Sequence, residues 1–522
     1  MLAHADGGVV FTFDSATAST VAVAGTFNCW VGDDCPLTQV APGRWQTTLA
    51  IATGRHLYKY VIDGRDWIRD PANGWISEDG QDNSSFTVDE FGHVLLRAAD
   101  TGPLQPGPMY LRHAALASPA WLADAVLYQL SLDAFGGSFA ALGARLAYLA
   151  ELGVNTIWMM PVHPRGIERR QGRYGDPYAV RDFGAIDPRY GDADDLRALV
   201  EAVHARGMRI VLDWTLNRSS IDNALTAQHP DWFTRKADGA IFYAVPNRDC
   251  FAGFDFGNRA LRDYLLGQLC DWVGRFGFDG LRLDDSDITP LDFLNEIRVA
   301  LAQVKPDIAL VSQAYDEFHH LASCDLTYEG GMRDVIGQPG AGNIELQRYW
   351  EASTYSFPRG ALRLRWLEDK EQGRAKRFFG DGRHLAAVAI QLTLDGVPHI
   401  LMGQEFDEPR WNTWTCLFDD FALDWSAFDQ ATFAHYRALL RLRASQCALR
   451  GARIEFLAGL APQMIGYWRG EGAARLLVLV NLAPHAQAMP EPAIGLEPLY
   501  ALGLMQSGTG LEAYGCAIVH CA

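Results

Sequence analysis

An alternation of short apolar segments with longer amphipathic stretches, between residue 125 and about residue 447, constrains the fold of this chain most strongly. The amphipathic stretches, such as 193–206 and 290–304, have the apolar spacing of helices that pack on one side. Repeated strand–helix units over about 300 residues predict a (β/α)₈ barrel, the TIM barrel. The apolar segments have the length of buried strands and lie at 126–130, 156–161, 209–213, 280–284, 309–312, 362–366 and 399–403.

The segments on either side of this region alternate apolar and polar residues at the period of a β-strand. A stretch rich in proline and glycine separates the first group from the barrel. The pattern therefore predicts a multidomain α/β protein. Its parts are a β-sandwich module at 1–95, a linker at 96–120, the barrel at 121–447 with a loop insertion near 217–258, and a small C-terminal β-sandwich domain at 448–522.

Charge and composition narrow the range of partners. Of the 522 residues, 49% are hydrophobic, and the net charge is −18 with a pI of about 5.2. Such an acidic chain is poorly suited to nucleic acid or to an anionic membrane, so we expect neither as a partner. The sequence contains no run of about 18 apolar residues, so it predicts no membrane span. The first residues lack the features of a secretory signal. We expect a cytoplasmic protein and leave its oligomeric state open, a homodimer included.

One predicted strand ends in a carboxylate. Residues 279–285 read Asp-Gly-Leu-Arg-Leu-Asp-Asp. Parallel-barrel enzymes carry their catalytic groups at the C-terminal ends of the strands, which is where Asp284 is expected. Arg282 lies two residues earlier on the same face of the strand and can hold that carboxylate ionised and oriented. The next predicted strand ends at Gln313.

Four segments, in order along the chain, carry a family resemblance. Residues 212–218, 280–284, 311–314 and 367–374 resemble the four signature regions of the α-amylase superfamily, glycoside hydrolase family 13. Further segments at 175–178, 190–191 and 396–405 match flanking regions of the same family. The resemblance covers about residues 121–447 and implies a barrel that acts on, or recognises, α-linked glucose.

The matching positions carry roles by resemblance. Asp284 resembles the catalytic nucleophile of the family, and Arg282 resembles the arginine that orients it. Tyr178 resembles the aromatic platform under the sugar at the cleavage point, and Asp213 resembles the aspartate of the first signature region.

Other signature positions depart from the family. The general acid/base glutamate falls on Gln313. The Asn-His-Asp triplet falls on Asp369, Lys370 and Glu371, so the third carboxylate of the site becomes Glu371. Arg218 stands where the first region has a histidine. By position, the catalytic candidates are therefore Asp284, Gln313 and Glu371, and Arg218 and Lys370 join the substrate-binding candidates.

The N-terminal module resembles the family-48 carbohydrate-binding modules, which bind glycogen. The resemblance rests on residues 21–30, 58–67 and 82–84. In that family two tryptophans stack on glucose rings while a lysine and an asparagine bind hydroxyl groups. The matching positions are Trp30, Trp67, Lys59 and Asn83. The alternative is that the module only packs beside the barrel, with the tryptophans buried.

The departures bear directly on catalysis. A retaining glycosidase needs two carboxyl groups about 5–5.5 Å apart, one that attacks and one that protonates the leaving oxygen. The Gln313 amide has no transferable proton at neutral pH, and losing general acid catalysis typically costs ~10²–10⁴-fold in rate. The extra methylene of Glu371 displaces its carboxylate, and such a misplacement costs on the order of 10²-fold. Arg218 and Lys370 are permanent cations that we expect to pair with Asp284 or its neighbours.

Three interpretations follow. In the first, the barrel recognises α-glucan, such as glycogen or a maltooligosaccharide, or scaffolds a partner, with little or no starch hydrolysis. In the second, the protein is an active retaining hydrolase or transglycosylase for a substrate with an acidic leaving group such as phosphate, and Asp284 forms the covalent intermediate. In the third, Gln313 is an engineered replacement of the catalytic glutamate. Four changes at separate signature positions favour the first interpretation.

No cofactor and no metal site are predicted. The nine cysteines include no CxxC pair, which argues against a zinc site and against a disulfide framework. Asn217 resembles a calcium ligand of some amylases, but too few oxygen ligands can be named beside it to predict a metal.

A few further residues have weaker signals. Glu317 is a secondary candidate for a relocated proton donor, whereas Trp411 and Trp414 are expected to pack rather than to line a sugar subsite. His163 is expected to be a structural strand-end residue, and the pair at 319–320 is expected on a solvated helix face.

Overall fold

Three units built on β-sheets follow one another along the chain. The computed structural model describes residues 2–5, 8–52, 54–73, 83–88, 94–95, 106–243, 248–411, 413–451 and 453–520. Within these residues, no helix has both the length and the apolar character needed to cross a membrane.

The N-terminal module is a sandwich of two antiparallel sheets, as predicted. One sheet has the order β1-β2-β5-β4, and the other has the order β3-β6-β8-β9 with β7 beside β6. Phe11, Tyr58, Tyr60 and Phe86 are fully buried between the sheets. The strands are β1 (Leu2–Ala5), β2 (Gly8–Asp14), β3 (Val21–Gly25), β4 (Thr38–Ala41), β5 (Arg44–Leu49), β6 (Gly54–Ile62), β7 (Asp66–Ile68), β8 (Ser84–Val88) and β9 (Val94–Leu95).

A tight turn places one of the predicted sugar-binding residues. Asp63 and Gly64 have left-handed φ angles of 51° and 67° and are the central residues of a tight turn, which the Arg65 N–H closes by donating to the Ile62 carbonyl at 3.0 Å. The Asp-Gly pair therefore folds β7 back onto β6, with Trp67 opposite Val61. Lys59 and Trp67 consequently lie on neighbouring strands of one sheet.

The central unit is a closed barrel of eight parallel strands, which confirms the predicted fold class. The pattern missed one strand, Leu326–Glu329, because its sequence Leu-Thr-Tyr-Glu is not an apolar run although all four residues are buried. All strands between residues 127 and 401 belong to the barrel except the antiparallel pair β13–β14. They are β10 (Leu127–Leu130), β11 (Thr156–Met159), β12 (Arg209–Thr215), β13 (Arg218–Ser220), β14 (Phe251–Gly253), β15 (Gly280–Asp284), β16 (Ala309–Ser312), β17 (Leu326–Glu329), β18 (Leu362–Arg365) and β19 (Val397–Leu401).

The helices around the barrel begin and end at recognisable residues. Asp192 and Asn258 each accept hydrogen bonds from two backbone N–H groups at the start of a helix, and Gly277, with φ of 75°, ends the longest one. The helices are α1 (Pro108–Arg112), α2 (Leu132–Phe135), α3 (Phe139–Ala144), α4 (Leu146–Leu152), α5 (Ala193–His204), α6 (Leu225–Gln228), α7 (Arg259–Phe276), α8 (Leu291–Val304), α9 (His319–Ala322), α10 (Gly331–Gly337), α11 (Asn343–Tyr355), α12 (Ala375–Phe379), α13 (Arg383–Thr393) and α14 (Gln430–Ser445).

The C-terminal unit is a six-stranded antiparallel sheet. Its last strand pairs with three others along its eleven residues. The Tyr467 hydroxyl lies 2.6 Å from the Thr393 hydroxyl, which joins this sheet to α13 of the barrel. The strands are β20 (Ile454–Phe456), β21 (Met464–Arg469), β22 (Leu476–Asn481), β23 (Gln487–Ala488), β24 (Pro498–Leu504) and β25 (Gly510–His520).

The solvated position expected for His319 and His320 is wrong. Both side chains are buried, because α9 is a single turn packed against the barrel strands. The His319 ring lies 2.8 Å from the Ser312 hydroxyl, and the His320 ring lies 2.8 Å from the Thr327 hydroxyl.

His163 is a buried structural residue. Its Nδ1 donates a hydrogen bond to the Ala185 carbonyl at 3.2 Å, and its ring packs within 4.8 Å and 4.5 Å of the rings of Trp214 and Trp272. Burial lowers the pKa of the imidazole to about 4. The unfolded chain protonates His163 near pH 6.5 whereas the folded chain keeps it neutral, so its contribution to stability is present above about pH 6.5 and is lost as the pH falls towards 4.

We expect His163→Leu to reduce the loss of stability on acidification. Between pH 7.5 and pH 5.0 the free energy of unfolding of the variant should fall by about 2 kcal/mol less than that of the parent. Urea unfolding at the two pH values measures this difference. His485→Leu, which changes an exposed histidine, is the control. Equal losses in the parent and in His163→Leu would contradict the prediction.

Candidate active site

The centre of the site is the guanidinium group of Arg282, which is fully buried inside the barrel. Residue 282 pairs with residue 213 of the neighbouring strand, so the two side chains meet. Its Nη1 donates to Asp213 Oδ1 at 2.8 Å and also to Asp284 Oδ1. Its Nη2 donates to Gln313 Oε1 at 2.5 Å, and its Nε donates to the Tyr328 hydroxyl at 3.1 Å. One cation therefore connects four strands of the barrel.

Asp213 is held by donors on three sides. Besides Arg282, it accepts hydrogen bonds from Trp158 Nε1 at 3.0 Å and from the Tyr178 hydroxyl at 2.8 Å. Burial raises the pKa of Asp213 although Arg282 opposes this. The contact anchors Tyr178 by its hydroxyl group, and Tyr178 lines the cavity above.

Asp284 ends β15 at the C-terminal edge of the barrel, as expected for a nucleophile. Arg218, the first residue of β13, donates from Nη2 to Asp284 Oδ2 at 2.5 Å and from Nη1 to Asp285. Burial alone would raise the pKa of Asp284, but Arg218, Arg282 and Lys370 outweigh it and hold this pKa below its ordinary range. Asp284 is therefore ionised, and both of its oxygens are engaged by guanidinium groups.

Lys370 occupies the space beside Asp284. Its Nζ lies 2.9 Å from Glu371 Oε1 and 3.7 Å from Asp284 Oδ1. The same ammonium lies 4.5 Å from the centre of the Tyr178 ring. This is the ring that the family resemblance assigns to a sugar, so a cation stands where the sugar is expected to stack.

Neither Gln313 nor Glu371 is a proton donor in this arrangement. The Gln313 Oε1 atom accepts from Arg282 and from the Asp285 N–H at 3.1 Å, and its Nε2 donates to Glu371 Oε1 at 3.5 Å. Lys370 lowers the pKa of Glu371, which is therefore ionised at neutral pH. Burial, reinforced by the charge of Glu371, raises the pKa of Asp369 to about 6.

A cavity of about 640 Å³ opens above these groups. Its wall includes Asp284, Gln313 and Glu371 from the barrel. The same wall includes all four residues that the family-48 resemblance marks in the N-terminal module: Trp30, Lys59, Trp67 and Asn83. The structure thus brings together, in one cavity, two sets of candidates that the sequence placed in separate domains.

Several cavity residues were not singled out in the sequence. Asp285 follows Asp284 with a left-handed φ of 47° and accepts hydrogen bonds from Arg218 and, at 2.8 Å, from the Tyr243 hydroxyl. Arg248 lies 3.6 Å from Asp176 and belongs, with Tyr243, to the insertion after β12. The doubled aspartate at 284–285 and the aromatic-rich insertion were the available signals.

The tryptophans after the last barrel strand differ in position. Trp411 is buried and packs, as expected. Trp414 lines the cavity with its ring 3.6 Å from the Arg248 guanidinium, which corrects the expectation that it only packs. Glu317 is buried and is not part of the cavity wall, so it does not replace the missing proton donor there.

In the described part of the chain, no three His, Cys, Asp or Glu side chains are grouped so that they could hold a metal ion. The carboxylates at the centre of the site are instead engaged by arginine and lysine, as the ion pairs of Arg218, Arg282 and Lys370 show.

Comparisons with known proteins match two parts of the chain. Residues 122–251 match the α-amylase catalytic domain, and residues 8–91 match the glycogen recognition site of AMP-activated protein kinase. A cyclomaltodextrinase from Bacillus sp is 26% identical over 425 residues, which cover 70% of this chain and 73% of that protein.

Solved structures share the architecture. A maltogenic α-amylase, AmyB from Thermotoga neapolitana, superposes with a TM-score of 0.68 at 25% identity, over 77% of this chain and 99% of that one. A cyclomaltodextrinase superposes over 98% of this chain and 97% of its own length, with a TM-score of 0.66 at 20% identity, which shows a common fold. The chain is therefore similar to α-amylase catalytic domains over part of its barrel and to a glycogen-recognition module at its N-terminus.

Proposed function

We propose that this protein recognises short-chain or polymeric α-glucan and hydrolyses starch or glycogen little or not at all. The observation that carries the proposal is the double engagement of Asp284 by Arg218 and Arg282, next to an amide in place of a proton donor. A nucleophile whose two oxygens are both in ion pairs must first break one of these ion pairs before it can attack a sugar. The leaving oxygen then lacks an acid, because the amide of Gln313 cannot protonate it.

The cavity suits a neutral sugar better than an anion. Six carboxylates and four cationic side chains line it, so the wall has an excess of negative charge. That excess disfavours a phosphorylated or nucleotide-linked substrate. The aromatic rings of Trp30, Trp67 and Trp414 offer flat apolar faces, mixed with the few polar groups that orient a small ligand. The cyclomaltodextrinases and amylases among the relatives also favour an α-glucan ligand.

An active retaining hydrolase or transglycosylase is the second candidate. It is favoured by Asp284, which keeps its strand-end position, its partner Arg282 and its ionised state. Such an enzyme needs either a substrate whose leaving group departs unprotonated or a glutamate at position 313. A glutamate there has its second oxygen near Glu371 Oε1, which lies 3.5 Å from the Gln313 nitrogen. Two carboxyl groups this close share a proton, so Gln313→Glu supplies a proton donor.

We expect maltoheptaose to bind this chain and Trp30→Ala to weaken the binding about tenfold, because the ring provides a stacking face in the cavity. Isothermal titration calorimetry at neutral pH measures the affinity. Trp468→Ala, in the C-terminal sheet, is the matched control and should bind like the parent. No heat with maltoheptaose, glycogen or a cyclodextrin would overturn the proposal.

We expect no release of reducing sugar from starch or from 4-nitrophenyl α-maltoside above the uncatalysed background. A reducing-sugar assay and a chromogenic assay at pH 7 test the parent and Gln313→Glu. The variant should stay at least about 10²-fold below an ordinary amylase, because Arg218 and Lys370 still hold the nucleophile. Full starch hydrolysis by Gln313→Glu would support an engineered site, and efficient hydrolysis by the parent would refute the proposed function.

Arg218→Ala should expose one oxygen of Asp284 and increase turnover of α-maltosyl fluoride at least about tenfold over the parent. Fluoride leaves without a proton, so this substrate reports on the nucleophile alone. Arg282 and Lys370 remain beside Asp284 and keep it ionised. A fluoride electrode, with and without azide, follows the reaction. Arg248→Ala removes a cation from the same cavity that pairs with Asp176, and it should not produce the gain. Equal rates in all three proteins would show that Arg218 does not restrain the nucleophile.

A further inference from the structure

The face of the N-terminal module that carries Trp30 and Trp67 is turned towards the barrel. Trp30 and Trp67 lie with their ring centres 6.5 Å apart and their planes at 36°, so they form one bent aromatic surface. A Cβ atom on Gly32 would lie 2.9 Å from the Trp67 ring, so glycine lets this loop touch the ring and hold it in place. Trp67 is 36% exposed, and both rings line the cavity that contains Asp284.

The module is held in this orientation by a buried contact with the barrel. Arg55, at the start of β6, is 6% exposed and donates from Nη1 to the Tyr315 carbonyl at 2.6 Å. Its Nε donates to the Ser85 hydroxyl of the neighbouring strand at 3.0 Å. Tyr315 follows Gln313 and itself lines the cavity, so the contact joins the module directly to the rim of the active site.

A second cavity continues along the same boundary. It has a volume of about 380 Å³ and lies between residues 30–33 of the module and the insertion after β12. Trp30, Tyr243, Arg248 and Phe251 belong to the walls of both cavities. The boundary between module and barrel therefore has an extended hollow, with Trp30 at the junction of its two parts.

We propose that the module and the barrel of one chain share a single ligand site, and that its ligand is a short α-1,4-linked glucan oligosaccharide bound between them. The inference rests on the proposed function and assigns its substrate class. The module supplies Trp30, Trp67, Lys59 and Asn83, and the barrel supplies the opposite wall, with Trp414 as its tryptophan. The module thus acts as a subsite of the barrel rather than as an anchor on a distant polymer.

The geometry explains why the ligand is short. A module that anchors an enzyme to a glycogen particle must present its aromatic face to a large, branched surface. Here the barrel of the same chain stands opposite that face, so a branched surface cannot lie against the two tryptophans. A single glucan strand enters such a hollow and is enclosed by side chains on two sides, which is typical of small-ligand pockets.

The test is the stoichiometry of binding, measured by calorimetry on the full chain with maltoheptaose and with glycogen. We expect one maltoheptaose per chain in the parent. Trp67→Ala in the module and Trp414→Ala in the barrel should each weaken that one event at least about tenfold, and the affinity for glycogen should be at least about tenfold lower. Trp468→Ala is the matched control. Lys59→Met in the module and Tyr243→Phe in the barrel repeat these two tests with smaller changes of side chain. Thermal unfolding checks that each variant is folded.

The possible results separate this inference from the proposed function. Two maltoheptaose sites in the parent, with one lost in each variant, would overturn the shared site but leave α-glucan recognition intact. So would binding that Trp67→Ala abolishes and Trp414→Ala leaves unchanged. Glycogen bound more tightly than maltoheptaose would overturn the assignment of a short ligand. No binding of either glucan would contradict the proposed function, and the shared site with it.

Discussion

The buried guanidinium of Arg282 is the interaction on which the site depends. It contacts side chains that follow or belong to β12, β15, β16 and β17, and it is fully enclosed. A charge in this position is tolerated only if its partners compensate for the lost water, and removing one partner of such a pair costs about 3–5 kcal/mol. The carboxylates of Asp213 and Asp284 are therefore as necessary to the barrel interior as they are to any chemistry above it.

The same need to balance buried charge explains why the departures from the family pattern at positions 218, 370 and 371 occur together. Asp284, Asp285 and Glu371 place several negative charges at one rim, and Arg218 and Lys370 neutralise them at close range. Neutral histidines at these two positions would leave more of the Asp284 carboxylate open to a sugar. The cations give a well-paired rim but occupy both oxygens of Asp284, so an attack by this carboxylate on a sugar would first have to break an ion pair that stabilises the ground state.

Local patterns in the sequence were sufficient for most of the fold. Strand–helix alternation predicts the barrel, and the alternation of apolar and polar residues on either side of it predicts the flanking sheets. The local apolar pattern did not predict the strand Leu326–Glu329, because a barrel interior that contains Arg282 and its partners accommodates polar residues as well as apolar ones. His319 and His320 were misplaced for a similar reason: hydrogen bonds to Ser312 and Thr327, which satisfy their buried rings, are not visible in a local sequence pattern.

The sequence by itself determined which groups the protein has: a strand-end Asp284 with its arginine, an amide at position 313, and two tryptophans on a small sandwich. Only the tertiary structure decided how they meet. It placed Arg218 on the free oxygen of Asp284, put Lys370 over Tyr178, and turned Trp30 and Trp67 into the cavity of the barrel. These contacts join residues far apart in the chain, and they depend on how whole strands and domains dock. Docking follows from the summed packing and charge of large surfaces, so no short motif records it.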